Sequence, residues 1–175
     1  FIEARMATIA CAKIREPTYI RLAREKTPIM TTVDTPFEIG KAQVVFIPEQ
    51  GLAQVGIIAT GALLHKALIT AKDLEKKGIK VKVMNLATIK PLDTEAIIAL
   101  ARETKGIVTI EEHQVAGGMG SAVAECLASN YPVPIEFVGV KDSFGQSGTP
   151  DELIEHYGMG VKDITKAVEK VLTRK

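Results

Sequence analysis

The sequence predicts an α/β fold: a three-layer αβα domain with a five-stranded, mostly parallel sheet and one antiparallel edge strand. From about Gly40 onward, short apolar runs alternate with segments of helical periodicity. This alternation is typical of a parallel sheet with helices on both faces. Turn and cap residues at the boundaries of these segments give the same fold class a second, independent support.

Five apolar runs are predicted as strands, and five amphipathic segments are predicted as helices. The predicted strands are Ala42–Ile47, Val55–Ala59, Lys80–Met84, Ile107–Ile110 and Ile135–Val140. The predicted helices are Leu63–Lys77, Thr94–Thr104, Ser121–Asn130, Pro150–Tyr157 and Lys162–Thr173. The first two strands are joined through the short segment PEQGLAQ, so we expect them to form a hairpin and supply the antiparallel edge.

Helix boundaries carry recognisable signals. Thr149 and Glu152 have the spacing of a capping box around Pro150, which occupies the first helical position. Asp93 is expected to cap the helix that follows it. Gly106 lies between a helix and a strand, where a left-handed residue is expected.

The N-terminal part of the chain is predicted to be a helix–strand remnant of another α/β domain. Residues 1–14 have helical periodicity without a preceding cap, and Thr18–Leu22 has the pattern of a strand. One helix and one strand cannot bury a core alone. The chain also opens on Phe1 in the middle of a helical pattern, which indicates a fragment of a longer polypeptide. The charged, proline-containing stretch 23–39 has the composition of an interdomain linker.

The composition excludes several classes of partner. The 22 basic and 21 acidic residues give a net charge of +1, so we expect neither nucleic acid nor a membrane surface as a partner. The sequence contains no apolar run long enough to span a membrane and no signal-like leader. Cys11 and Cys126 lie in apolar helical contexts and are expected to be free thiols, which favours a cytoplasmic location. The three scattered histidines and the absence of paired cysteines make a structural zinc site improbable.

The segment Gly106–Glu125, GIVTIEEHQVAGGMGSAVAE, contains the first group of candidate site residues. A glycine-rich turn at a helix start can hold phosphate on free backbone amides, but the same glycines can serve close packing. The carboxylates and the imidazole before the turn can form an acid/base pair or a hydrogen-bonded interface. The candidates for an anion or interface site are Glu112, His113, Gly117, Gly118 and Gly120.

A second group lies in the segment YIRLAREKTP, which carries Arg21 and Arg24. Arginine remains charged and can bind phosphate through two parallel hydrogen bonds. The alternative is a solvated loop held by salt bridges. Composition alone does not decide between these two interpretations.

Three blocks resemble the C-terminal part of transketolases: YIRLAREKTP, GIVTIEEHQVAGGMGSAVAECL and DSFGQSGTPDELIEHYGM. The segment VMNLATIKPLD between them is similar to the same family. The blocks also resemble deoxyxylulose-phosphate synthase and the β subunits of 2-oxoacid dehydrogenases. The SGTP block and the order Ala-Arg-Glu-Lys after the candidate strand favour transketolase.

The resemblance implies a transferase of carbohydrate metabolism and the pentose phosphate pathway. Such an enzyme moves a two-carbon ketol unit from a ketose phosphate to an aldose phosphate with thiamine diphosphate and Mg²⁺. Arg24 matches the family arginine that binds the phosphate of the sugar substrate, with Arg21 as a weaker companion. In that family the cofactor lies between the pyrophosphate-binding and pyrimidine-binding domains, and the glutamate and the Mg²⁺-binding motif that hold it have no match in this sequence. The resemblance therefore implies no catalytic, cofactor-binding or metal residue in this chain.

The resemblance also implies a domain organisation. Residues 1–30 would be the tail of the thiamine pyrimidine-binding domain, residues 31–39 a linker, and residues 40–175 the transketolase C-terminal domain. The chain alone would be inactive. It would associate with a second copy of itself as a homodimer, with the N-terminal transketolase portion or subunit, or with both. A non-catalytic nucleotide- or anion-binding α/β module is the alternative from a different functional class.

Overall fold

The computed structural model describes residues 1–175 and contains six α-helices and five strands. A single 3₁₀ turn at Gly61–Leu63 precedes the second helix. In chain order the elements are α1 (Ile2–Cys11), β1 (Gln43–Phe46), β2 (Val55–Ala59), α2 (Leu64–Lys76), β3 (Val81–Asn85), α3 (Thr94–Thr104), β4 (Ile107–Gln114), α4 (Met119–Asn130), β5 (Ile135–Val140), α5 (Pro150–His156) and α6 (Val161–Thr173).

The strands form one sheet in the order β1-β3-β2-β4-β5. The pairs β3–β2, β2–β4 and β4–β5 are parallel, and β1 is antiparallel to β3. The predicted α/β fold with one antiparallel edge is therefore confirmed, but the predicted hairpin is wrong. All five residues of β2 are buried, and β2 pairs with a strand on each side. The half-exposed β1 consequently occupies the edge beside β3.

Helices cover both faces of the sheet. Neighbouring residues of β2 point to opposite faces, so that Ile57 packs in the core beneath α2 and α6 and Ile58 packs in the core beneath α3 and α4. Both side chains are fully buried. The two apolar cores, one on each side of the sheet, fix the three-layer architecture.

The helix caps follow the sequence signals, with one exception. Asp93 accepts a hydrogen bond from the amide of Ala96 at 3.2 Å, and the capping box at Thr149 is formed. The prediction of a left-handed conformation at Gly106 is wrong, because Lys105 takes that conformation with φ of +58°. Close packing against α6 explains instead why position 106 is a glycine. A Cβ on it would lie 2.4 Å from Cγ1 of Val171.

Residues before β1 contribute little to the cores. Helix α1 has no buried residue, and the predicted strand at Thr18–Leu22 is irregular and exposed. A strand requires a neighbouring edge for its hydrogen bonds, and this segment pairs with none of the five strands. Cys11 and Cys126 are free and half-buried. None of the helices has the length and the apolar character needed to cross a membrane.

A small ion-pair cluster joins β5 to α6. Glu136 lies 2.9 Å from the Nζ atom of Lys170 and also accepts a hydrogen bond from Arg174. Burial raises the pKa of Glu136, but the hydrogen bonds and positive charges of Lys170 and Arg174 outweigh burial, so its pKa lies below the ordinary value. The cluster therefore favours the ionised carboxylate in the folded state.

We expect the Glu136→Gln substitution to lower the free energy of unfolding by about 1 kcal/mol at pH 7. Because the folded-state pKa is depressed, this stabilisation is present above the ordinary pKa of glutamate and is lost as the pH falls through the folded-state value. Urea unfolding at several pH values measures the difference between the wild type and the variant. Glu169→Gln on the exposed side of α6 is the matched control. A difference that does not shrink in acid would contradict the assignment.

Candidate functional site

The carboxyl ends of β2 and β4 lie side by side in the middle of the sheet. The chain continues from β2 to β3 on one side and from β4 to β5 on the other, so the strand order reverses between β2 and β4. In open α/β sheets, ligands bind outside the carboxyl ends of the strands at such a reversal. Here the amide of Thr60 donates to the carbonyl of Ile110 at 3.2 Å. The candidate residues Glu112 and His113 follow after Glu111 in the same strand.

Strand β4 is longer than the sequence suggested. The predicted strand ended at Ile110, whereas the observed strand continues through Gln114. The pairing of β4 with β5 has an irregularity between Ile110 and Gln114, so Glu111, Glu112 and His113 do not follow a simple in–out alternation. The Glu111 side chain is only 4% exposed, whereas Glu112 and His113 are exposed.

The buried carboxylate of Glu111 binds the N-terminus of α4. One oxygen, Oε2, accepts a hydrogen bond from the amide of Met119 at 2.6 Å, and Oε1 accepts one from the amide of Gly120 at 2.7 Å. A negative charge at this place also faces the positive end of the helix dipole. Glu111 is therefore the cap of α4, supplied from the preceding strand.

The glycine-rich turn is shaped around this carboxylate. A Cβ on Gly118 would lie 2.3 Å from Oε2 of Glu111. The amide of Gly117 donates to Oγ of Ser121 at 2.9 Å, and the amide of Gly118 donates to the carbonyl of Val115 at 3.4 Å. Each of the four amides from Gly117 to Gly120 thus has an acceptor within the chain.

The structure brings one arginine of the N-terminal segment to the end of β4. Nη1 of Arg21 donates to the carbonyl oxygen of Glu112 at 3.0 Å, across a separation of 91 residues. The neighbouring His113 is 46% exposed, and its Nδ1 atom lies 2.9 Å from the carbonyl oxygen of Gln114. Two candidate groups that are distant in sequence therefore meet at the carboxyl edge of the sheet.

Arg24 has a different environment. Its side chain is 92% exposed, and its ion pair is with the adjacent Glu25 at 3.2 Å. Surface pairs of this kind contribute little stability. The guanidinium group is therefore available to an external anion. Arg21, by contrast, uses part of its guanidinium group to bind the backbone of β4.

A second contact joins the N-terminal segment to the same edge. Asn85, the last residue of β3, is 1% exposed, and its Nδ2 atom donates to Oε1 of Glu3 at 2.5 Å. Its Oδ1 atom is buried without a partner. Helix α1 thus lies against the carboxyl end of β3, while Arg21 reaches the carboxyl end of β4.

Sequence reasoning missed two residues of this edge. Glu111 is one of the carboxylates that the sequence offers for an acid/base pair, and its Oε2 atom lies 4.0 Å from Nδ1 of His113. Its capping role also has a sequence signal, because an acidic residue ahead of a glycine-rich helix start favours a cap. Asn85 gave no signal, because a single polar residue at the end of an apolar run resembles an ordinary strand end. No group of three or more His, Cys, Asp or Glu side chains is placed to hold a metal ion.

Comparison with known proteins identifies relatives over most of the chain. Residues 42–164 match the family described as "Transketolase, C-terminal domain". The chain is 42% identical over 159 residues to the 6-deoxy-6-sulfo-D-fructose transketolase subunit SqwH of Clostridium sp. (strain MSTE9). It is 36% identical over 160 residues to a putative transketolase C-terminal section of Methanocaldococcus jannaschii. These matches cover 91% and 90% of this chain, and each covers 48% of the relative.

A solved structure agrees with these sequence matches. It is described as a split gene transketolase in an inactive beta4 tetramer, and its TM-score with this chain is 0.91 at 44% identity. The similarity covers 98% of this chain and 55% of that chain. This chain therefore spans about half the length of these relatives. The chain belongs to the transketolase C-terminal domain family.

Proposed function

We propose that the chain is the C-terminal part of a thiamine-diphosphate-dependent transketolase. The complete enzyme would transfer a two-carbon ketol unit from a ketose phosphate to an aldose phosphate. The observation that carries this proposal is the match of nearly the whole chain to proteins named as transketolase subunits or sections. The finer assignment to residues depends on the environment of Arg24.

The proposal assigns parts of the chain to domains of the enzyme and names the chains with which it would associate. Residues 1–30 would belong to the pyrimidine-binding domain, residues 31–39 to a linker, and residues 40–175 to the C-terminal domain. The chain would associate with a second copy of itself, with the N-terminal transketolase portion, or with both. This expectation is supported by relatives named as a subunit, as a C-terminal section and as a tetramer of β chains.

The residues of this chain do not fit a diphosphate–Mg²⁺ site. Diphosphate binding at a helix start requires unpaired amides, and the amides of Gly117–Gly120 are paired within the chain. The carboxylate of Glu111 at this helix start would also repel a phosphate. Thiamine diphosphate and Mg²⁺ would be held by other parts of the complete enzyme, and we expect the chain alone to be inactive.

Arg24 is the residue proposed to bind the sugar phosphate. Its side chain is 92% exposed, and its one ion pair, with the adjacent Glu25, is a weak competitor for an incoming dianion. Arg21 supports this role from three residues away. Its hydrogen bond to the Glu112 carbonyl anchors the segment to the sheet and limits how far Arg24 can move.

We expect Arg24→Ala in the assembled enzyme to raise the KM for phosphorylated sugars by about 10- to 100-fold, because a charge-assisted hydrogen bond is lost. The KM for unphosphorylated acceptors should change by less than about twofold. Steady-state kinetics with matched phosphorylated and unphosphorylated sugars measures both values. Lys26→Ala removes a nearby exposed positive charge and is the matched control.

Two results would contradict the proposal at different levels. Equal KM changes for both kinds of sugar would remove the phosphate role of Arg24. If the chain, combined with folded N-terminal transketolase portion, thiamine diphosphate and Mg²⁺, supports no ketol transfer, the enzyme assignment itself fails. The chain without the N-terminal portion is the baseline for this reconstitution.

The Glu111 cap also gives a test of the anion-binding alternative. We expect Glu111→Ala to lower the free energy of unfolding by about 2–3 kcal/mol, because two buried amides lose a charged acceptor. Glu112→Ala, with an exposed side chain on the same strand, should change it by less than about 0.5 kcal/mol. Chemical denaturation measures both. Calorimetric titration of the wild type with inorganic phosphate should show no saturable binding, and micromolar binding would favour the anion-binding module.

A further inference from the structure

A buried polar side chain lies at the carboxyl end of β3. Asn85 is 1% exposed, and its Oδ1 atom is buried without a hydrogen-bond partner. Val81 and Val83, which point to the same face of the sheet, are fully buried in the apolar core. Burial of an unpaired carbonyl oxygen is unfavourable, so packing alone would favour an apolar residue at position 85.

The amide nitrogen of Asn85 explains why this side chain is polar. The Nδ2 atom donates to Oε1 of Glu3 at 2.5 Å, across a separation of 82 residues. The acceptor is a carboxylate, and hydrogen bonds to charged groups are stronger than those between neutral groups. The side chain therefore serves the attachment of α1 rather than the packing of the sheet.

Helix α1 has little else that holds it to the sheet. It has no buried residue, and none of its side chains takes part in an ion pair. Its other side-chain hydrogen bond, from Thr8 to the carbonyl of Ala4, lies within the helix. Loss of the bond between Glu3 and Asn85 should therefore release α1 while the body of the domain stays folded.

The N-terminal segment has a second attachment at the carboxyl end of β4, where Arg21 donates to the carbonyl of Glu112 at 3.0 Å. Strands β3 and β4 flank β2, so the strands that carry the two attachments lie about 10 Å apart. A segment held at one point can pivot about it, whereas two separated points also fix its direction. The exposed Arg24 follows Arg21 by three residues, so the approach of Arg24 to an anion depends on that direction.

We infer that Asn85 is a positioning residue for sugar-phosphate binding, because its bond to Glu3 fixes the direction of the segment that carries Arg24. The inference rests on the proposed function, in which Arg24 binds the phosphate. Asn85 is buried and acts only through Arg24. Its loss should therefore weaken the binding of phosphorylated sugars and leave the chemical step unchanged.

An exchange of donor and acceptor tests the bond in the chain without substrate or cofactor. Asn85→Asp places a second carboxylate beside Glu3, and adding Glu3→Gln supplies an amide donor for it. We expect Asn85→Asp to speed hydrogen–deuterium exchange of the α1 amides, measured by quench flow, by about tenfold. The double variant should return the exchange rate to within about threefold of the wild type.

Two further variants complete this experiment. Glu3→Ala removes the acceptor without altering the buried position and should release α1 as Asn85→Asp does. Asn130→Asp, at an exposed position on α4, makes the same chemical change away from α1 and is the matched control.

Kinetics of the assembled enzyme test the consequence for the substrate. Asn85→Asp and Glu3→Ala should each raise the KM for phosphorylated sugars by about tenfold. Both should leave kcat and the KM for unphosphorylated sugars within about twofold, whereas a purely structural role would change these values as well. Adding Glu3→Gln to Asn85→Asp should restore the KM for phosphorylated sugars.

The inference would be overturned if Asn85→Asp and Glu3→Ala behave like Asn130→Asp in either measurement, or if Glu3→Gln does not restore the double variant. It would also be overturned if the KM values for both kinds of sugar rise together. A selective effect of Arg24→Ala without one of Asn85→Asp removes only this inference. If Arg24→Ala itself has no selective effect, the proposed phosphate role of Arg24 fails.

Discussion

The carboxylate of Glu111 at the N-terminus of α4 is the interaction on which the carboxyl edge of the sheet depends. It links a central strand to a helix by two short hydrogen bonds, at 2.6 and 2.7 Å, in a place that is almost closed to water. A buried carboxylate is costly unless its oxygens are paired, and here backbone amides and the helix dipole stabilise it. The turn from β4 into α4 is consequently fixed in one conformation.

The last four residues of β4 make hydrogen bonds to three other segments of the chain. Glu111 holds α4, the carbonyl of Glu112 receives Arg21, and the side chain of Gln114 holds the turn at Asp142. Each contact reaches a different segment of the chain. The edge at which an open α/β sheet ordinarily receives a ligand is used here mainly to hold the chain's own segments. The place that a ligand phosphate would take at the start of α4 is filled by the chain's own carboxylate.

The regular part of the fold was predictable because it depends on local patterns. Apolar runs placed all five strands, and the caps at Asp93 and Thr149 gave helix starts correctly. The hairpin prediction failed because strand pairing depends on which strand is central in the sheet. The local sequence around β1 and β2 does not contain that information. The candidate site shows the same limit. Residue types identified Arg21 and Glu112 separately, but the contact between them spans 91 residues and depends on the order of the strands.

Two polar contacts with the sheet, rather than a core, hold the N-terminal segment that carries Arg24. Helix α1 buries no residue, so hydrophobic packing does little to hold the first part of the chain. Its polar contacts, Glu3 with Asn85 and Arg21 with Glu112, lie at the carboxyl ends of β3 and β4. These strands flank β2, so the two contacts bracket the point where the strand order reverses. Arg24 lies three residues after Arg21, so the contact with β4 limits how far Arg24 can move while its side chain stays 92% exposed, and the proposed phosphate-binding role requires that exposure.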